Sequence, residues 1–174
     1  MELLEIMKNR RSVRKYTGDP IPEESLTKIL QAGLLSPSGH NKKPWEFIVV
    51  KDKETLGELA KCRVGSAKML EGADCAIVVW GDGELTDVWA EDCSIAMYGM
   101  HLMADFLGVG SCWIQGRCRD AENGTSAENY IRELLKVPEK YRLEAILSLG
   151  MCENHPKAHE LDELLWGKVH REMF

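Results

Sequence analysis

Thr86-Asp87-Val88-Trp89-Ala90-Glu91-Asp92-Cys93-Ser94-Ile95-Ala96-Met97-Tyr98-Gly99-Met100-His101-Leu102-Met103-Ala104-Asp105-Phe106-Leu107 is the stretch on which the fold turns. It is the longest helical pattern in the chain. Ile95, Met97, Tyr98, Met100, Leu102, Met103, Phe106 and Leu107 leave it apolar on more than one side, and such a helix belongs inside a molecule. Ala96, Gly99 and Ala104 are small enough for another helix to come close, and Gly108 and Gly110 end the pattern. The layers around it come from segments that read as strands: residues 47–50, 75–80, 111–114 and 143–150. Residues 75–80 are apolar without alternation, as in a strand covered on both faces.

Further outward, residues 3–9 read as a short helix. Ile21 and Pro22 open a second, with Pro22, Glu23 and Glu24 suited to its first turn. Its apolar residues Leu26, Ile29, Leu30, Gly33 and Leu34 keep helical spacing, and it stops in the loop of residues 36–41. Residues 53–62, 66–70 and 127–136 also read as helical, the last halted before Pro138. A polar tail over residues 153–160 leads to a final helical piece ending in Phe174. Strands separated by helices predict an α+β or α/β sandwich. No repeat, low-complexity tract or linker interrupts the chain, so one domain over residues 1–174 is expected.

Bulk properties narrow the function. The 174 residues are 44% hydrophobic and 29% charged, a globular composition, with a net charge of −6. An acidic chain argues against a general nucleic-acid binder. The first residues carry acids where a secretory signal needs cations. The uncharged run from Cys93 to Ala104 is far shorter than the ~20 residues of a bilayer span. A cytoplasmic protein with no membrane or nucleic-acid partner is expected. Six cysteines include no C-x-x-C pair, and in a reducing compartment most read as small buried hydrophobes. Cys118, in a loop rich in Gly and Arg, is the best candidate for an exposed thiol. His155 and His159 are four apart, but they lie in a polar tail without a matching acid, and no metal site is assigned. His101 reads as a satisfied core or interface histidine.

Three segments could carry chemistry. Residues 8–15, Lys-Asn-Arg-Arg-Ser-Val-Arg-Lys, hold five cations and no acid in an acidic chain. They suit either a solvated basic face or a phosphate site, where Arg10 offers a planar fork and Ser12 a hydroxyl. In extended chain, Arg10, Ser12 and Arg14 share one side. Residues 37–45, Pro-Ser-Gly-His-Asn-Lys-Lys-Pro-Trp, are either a plain connection or a ligand loop. There Ser38 and Asn41 supply hydrogen bonds, and Gly39 lets backbone approach a ligand. Residues 113–119, Trp-Ile-Gln-Gly-Arg-Cys-Arg, end a strand on a Gly turn that can aim a backbone N–H outward.

Together, the order R-R-S-x-R, P-S-G-H-N-x-x-P-W, a long central helix and G-x-G-S-C-W-I-x-G resembles the FMN-dependent nitroreductase family over nearly the whole chain, with Lys168-Val169-His170 adding to the likeness. The resemblance implies an α+β, nitroreductase-like α/β sandwich: a central mixed sheet flanked by helices, in an intertwined homodimer with FMN at the subunit interface. It implies that Arg10 contacts the FMN phosphate with Ser12 beside it, and that Arg14 faces the pyrimidine edge of the flavin. Arg11 takes a position that also tends to lie on the cofactor. Pro37, Ser38, Gly39 and Asn41 reach across from the other subunit. Ile114, Gln115 and Gly116 lie on the cofactor, with the N–H of Gln115 or Gly116 at flavin N5; Lys68 matches a basic residue near the C2 carbonyl, and Lys168, with Arg171 as competitor, adds a second phosphate contact.

The implied activity is electron transfer from NADH or NADPH to a nitroaromatic, quinone or related small-molecule acceptor by ping-pong hydride transfer. No side chain is nominated as catalytic acid or base, because the flavin does the covalent chemistry. Alternatives are a specialised relative, such as a dehalogenase or metabolite oxidase, and a non-enzymatic FMN-binding or storage protein. Relatives often carry a helical insert between the second strand and the central helix. Here only residues 81–85 intervene, which leaves the pocket more open or roofed by the C-terminal tail.

Overall fold

In the computed structural model, which describes residues 2–174, four strands form one sheet: β1 (Trp45–Val50), β2 (Cys75–Asp82), β3 (Gly110–Gln115) and β4 (Tyr141–Gly150). Their order is β1-β2-β4-β3, and every neighbouring pair is antiparallel. The expectation of a mixed sheet is corrected to that extent. Its parallel element is a bridge from Ser12 to Ser111, where the N-terminal segment lies along the outer edge of β3.

Side chains alternate across the sheet, and helices cover both faces. On one face α2 (Glu23–Leu34) and α4 (Trp89–Phe106) bring Ile29, Met97 and Met100 onto Ile77, Val79 and Leu147. On the other, α3 (Lys53–Leu59) and α5 (Ala127–Leu135) bring Leu56, Leu59 and Ile131 onto Val78, Trp80 and Ile146. A short helix over Leu3–Asn9, which in chain order is α1, touches α4. The expected apolar strand is β2, buried from Cys75 to Gly81.

The helix that approaches α4 is α2. A Cβ at Gly99 would stand 3.3 Å from the Ala32 carbonyl oxygen, and one at Gly33 would stand 2.9 Å from Met100 Cγ. Element ends differ from the sequence pattern where local chemistry intervenes. Residues 86–88 form a turn before α4, in which the Val88 N–H faces Thr86 Oγ1 at 3.4 Å. The final helical piece is replaced by two 3-10 turns, Leu161–Glu163 and Trp166–Lys168, in an exposed tail. So short a segment has too few bonds to offset its nucleation cost without packing.

One irregularity matters for the site. Val79 pairs with Ala145 and Trp80 with Leu143, so Glu144 has no partner on β2. This bulge re-aims the Glu144 side chain toward α4, where Ser94 donates to its Oε1 at 3.1 Å. Among the described residues no helix is long and apolar enough to cross a membrane.

Candidate functional site

The basic segment leaves α1 at Arg10, whose N–H still donates to the Ile6 carbonyl at 2.9 Å. The chain then runs extended along β3, and the Val13 N–H donates to the Ser111 carbonyl at 2.9 Å. Arg10 Nη1 meets His101 Nε2 of α4 at 2.9 Å, and His101 Nδ1 meets Ser111 Oγ at 2.6 Å. His101 is only 4% exposed. Burial, with Arg10 beside it, lowers its pKa to about 4, against a weaker opposing pull from Asp105.

Ser12 is bridged to Ser111, and Arg14 Nη1 approaches the Ser12 carbonyl at 3.4 Å. Cys112, the next residue of β3, is buried, and burial raises its thiol pKa. Arg10, joined to Ser111 through His101, is thus brought to the same edge of β3 as Ser12 and Arg14. Arg14 also lines a groove of about 470 Å³ between the N-terminal segment and the tail, bounded by Val13, Tyr16, Thr17, Glu153 and Pro156. Beneath it Tyr16 is anchored, its hydroxyl 2.9 Å from the Val13 carbonyl and 2.7 Å from Ser148 Oγ. Arg11 is engaged elsewhere and donates to the Lys157 carbonyl in the tail.

At the far end of β3 the Gly turn sorts its two candidate donors. The Gly116 N–H donates to the Glu144 carbonyl at 3.2 Å, and the Arg117 N–H to the same oxygen at 2.9 Å. Alternation along the antiparallel pair then turns the Gln115 N–H toward the open edge, away from β4. The Gln115 side chain is fixed: Oε1 accepts from Trp113 Nε1 at 2.9 Å, and Nε2 donates to the Glu144 carbonyl at 3.3 Å. Ile114 is buried and points into the core. Glu144 is 5% exposed, its Oε2 has no partner among the described residues, and burial raises its pKa.

The second motif lies apart from the arginines. A 3-10 turn over Gly39–Asn41 follows Pro37 and Ser38, with His40, Asn41 and Lys43 all in the left-handed region at φ 51°, 57° and 49°. Ser38 Oγ accepts the Lys43 N–H at 2.9 Å. Asp92, in the first turn of α4 and 4% exposed, accepts the Gly39 N–H at 2.9 Å. This loop therefore sits at the N-terminal end of α4 and Arg10 near its C-terminal end. Nine residues separate Asp92 from His101, about 14 Å along the axis. Within one chain the two motifs do not meet.

Lys68 opens a 3-10 turn, Lys68–Gly72, and is exposed; Lys168 and Arg171 lie in the exposed tail. None of the three makes an ion pair or a side-chain hydrogen bond among the described residues. The tail is pinned nearer its start, by His155 Nε2 on Asp105 Oδ1 at 2.7 Å and by the His159 N–H on the Lys8 carbonyl at 2.9 Å. Cys118 is exposed, as its loop suggested. Sequence reasoning passed over His101 as a site residue, and also Asp92 and Glu144. The one available signal was His101 itself, since two ring nitrogens on an apolar helix must find partners.

Comparison with known proteins adds an independent line. The model of the nitroreductase family matches residues 7–64 and 54–151. A relative from Archaeoglobus fulgidus, whose name proposes an NADH dehydrogenase or NAD(P)H nitroreductase, is 36% identical over 98% of both chains. A solved structure of an FMN-dependent nitroreductase from Clostridium difficile is 46% identical, covers 98% of this chain and 99% of its own, and superposes with a TM-score of 0.95. An iodotyrosine deiodinase from Haliscomenobacter hydrossis is 27% identical over 86% of this chain and 64% of its own.

Proposed function

The chain belongs to the nitroreductase family, and from that membership we propose an FMN-dependent NAD(P)H oxidoreductase, built as a cytoplasmic homodimer with a cofactor site at each end of the subunit seam. The observation that carries this reading is the placement of Arg10, Ser12 and Arg14 on the open edge of β3, in line with the outward N–H of Gln115.

The residues fit the cofactor. A phosphomonoester carries about −1.5 to −2 charge near neutrality and needs more than one cation. Arg10 and Ser12 hold the phosphate, and Lys168 or Arg171 completes the neutralisation from the tail. The groove beside Arg14 falls in the range of about 300–1,000 Å³ typical of small-molecule sites. FMN, when bound, supplies the hydride chemistry at its ring nitrogen N5. The Gln115 N–H donates at that edge, and Arg14 stabilises negative charge on the pyrimidine side. Lys68 takes the place beside the C2 carbonyl. Arg11 holds the tail down over the groove.

The second subunit supplies what one chain lacks. Ile95, Tyr98 and Phe106 leave an exposed apolar stripe on α4, continued by Leu34 and Leu35. An apolar face of this kind calls for a partner. Two copies of α4 packed antiparallel bring Pro37, Ser38, Gly39 and Asn41 of one protomer to the arginine end of the other. NADH or NADPH and the acceptor, a nitroaromatic or quinone, then occupy one open face in turn, which is ping-pong turnover. No side chain acts as acid or base.

Purified protein is expected to be yellow, to release FMN and to oxidise NAD(P)H with menadione or a nitrofuran. Tight FMN without turnover on any donor turns the reading into storage, and colourless protein that takes up no flavin ends it. The deiodinase relative motivates one rival: iodide release from iodotyrosine with no menadione reduction favours a dehalogenase.

A further inference from the structure

We infer that His101 is a positioning residue for phosphate recognition, holding the Arg10 guanidinium from behind so that its remaining N–H groups face the anion. The inference rests on the FMN reading above and extends it to a residue on the central helix.

The geometry dictates the protonation. A guanidinium can only donate, so His101 Nε2 accepts from Arg10 at 2.9 Å and the ring proton sits on Nδ1. Nδ1–H then donates to Ser111 Oγ at 2.6 Å. Ser111 is bridged to Ser12, and its carbonyl accepts the Val13 N–H at 2.9 Å. The chain of contacts thus returns to the segment it started from: Arg10, His101, Ser111, Ser12. The groups facing the ring are Arg10 from the N-terminal segment, Asp105 from its own helix and Ser111 from β3. The ring stays neutral at physiological pH because burial and Arg10 oppose its protonation. The acceptor is therefore always available to Arg10. A long, rotamer-rich side chain fixed before its ligand arrives loses less freedom on binding, and this raises affinity.

A role in packing alone and a role in phosphate recognition make different predictions for two ligands that differ only in the phosphate. FMN and riboflavin binding to the apoprotein are compared by flavin fluorescence quenching. The wild-type protein prefers FMN; absence of any preference overturns both the phosphate assignment and this inference. His101→Leu is expected to weaken FMN about tenfold, the size of one lost charge-assisted hydrogen bond, with riboflavin unchanged. His101→Gln, which keeps an acceptor near the Nε2 position, restores the preference. Ser111→Ala frees the ring to turn, so it lowers the ratio partway and serves where the leucine variant does not fold. A wild-type ratio of affinities in both His101→Leu and Ser111→Ala, or an equal loss for both flavins, overturns the assignment.

Discussion

An imidazole buried without charge leaves a signature in the stability of the whole chain. The folded pKa of His101 is about 4, below its ordinary 6.5. The unfolded state therefore binds more protons between those values, and stability present above pH 6.5 is lost as pH falls toward 4. The loss attributable to His101 is on the order of 3 kcal/mol. The acid side of the thermal-melt profile is expected to flatten in His101→Gln; an unaltered profile would show that the ring titrates normally. Glu144 has the opposite sign. Burial raises its pKa, so its contribution is fully present below about pH 4.5 and is lost as pH rises. The melting temperature of Glu144→Gln relative to wild type should therefore climb from pH 4 to pH 8, and a gap that shrinks would refute the raised pKa. Arg10→Ala is expected to lower flavin content more than it lowers the melting temperature; normal FMN occupancy would remove the phosphate role. Arg10, Ser12 and Arg14 were legible as candidates because a cationic run in an acidic chain stands out locally. His101 and Asp92 were not, since their partners lie 91 and 53 residues away in sequence. Glu144 was hidden by a bulge, which turns its side chain against the strand's alternation.

At the scale of elements, the site depends on how the N-terminal segment docks on the sheet. Gly150, the last residue of β4, lies under Tyr16: an added Cβ would stand 2.6 Å from two atoms of the ring. Gly150→Ala should therefore lift residues 12–17 from the sheet and cost about 1–3 kcal/mol, the usual penalty for overpacking. The loss of flavin affinity should exceed that of Gly57→Ala, where a Cβ meets open space. Chemical denaturation with flavin titration measures both, and a stable, fully flavin-loaded Gly150→Ala would dissociate docking from the site. Period and burial made the strands and the central helix readable, to within a few residues. The tail was not, because its apolar residues Leu164, Leu165, Trp166 and Val169 are exposed in this chain and have no internal surface to set their conformation.

For the molecule as a whole, the apolar stripe on α4 and the exposed tail agree with the two-chain unit proposed above. Placing a charge at the seam, as in Tyr98→Glu, is expected to shift sedimentation toward the monomer and to release flavin in parallel. A dimer that retains its yellow colour would place the contact elsewhere. The overall architecture was readable from sequence, but the proposed pairing of chains rests on resemblance, because periodicity does not separate an internal apolar face from one shared between copies.

The two motifs anchored at opposite ends of α4 have a genetic consequence. In the proposed dimer, lesions in Arg10 and in Ser38 or Asn41 would damage different protomers' shares of any given pocket. Two inactive alleles, one of each type, should therefore complement when coexpressed. A mixed dimer would concentrate both defects in one pocket and leave the other intact, whereas two alleles hit in the same motif would stay dead together.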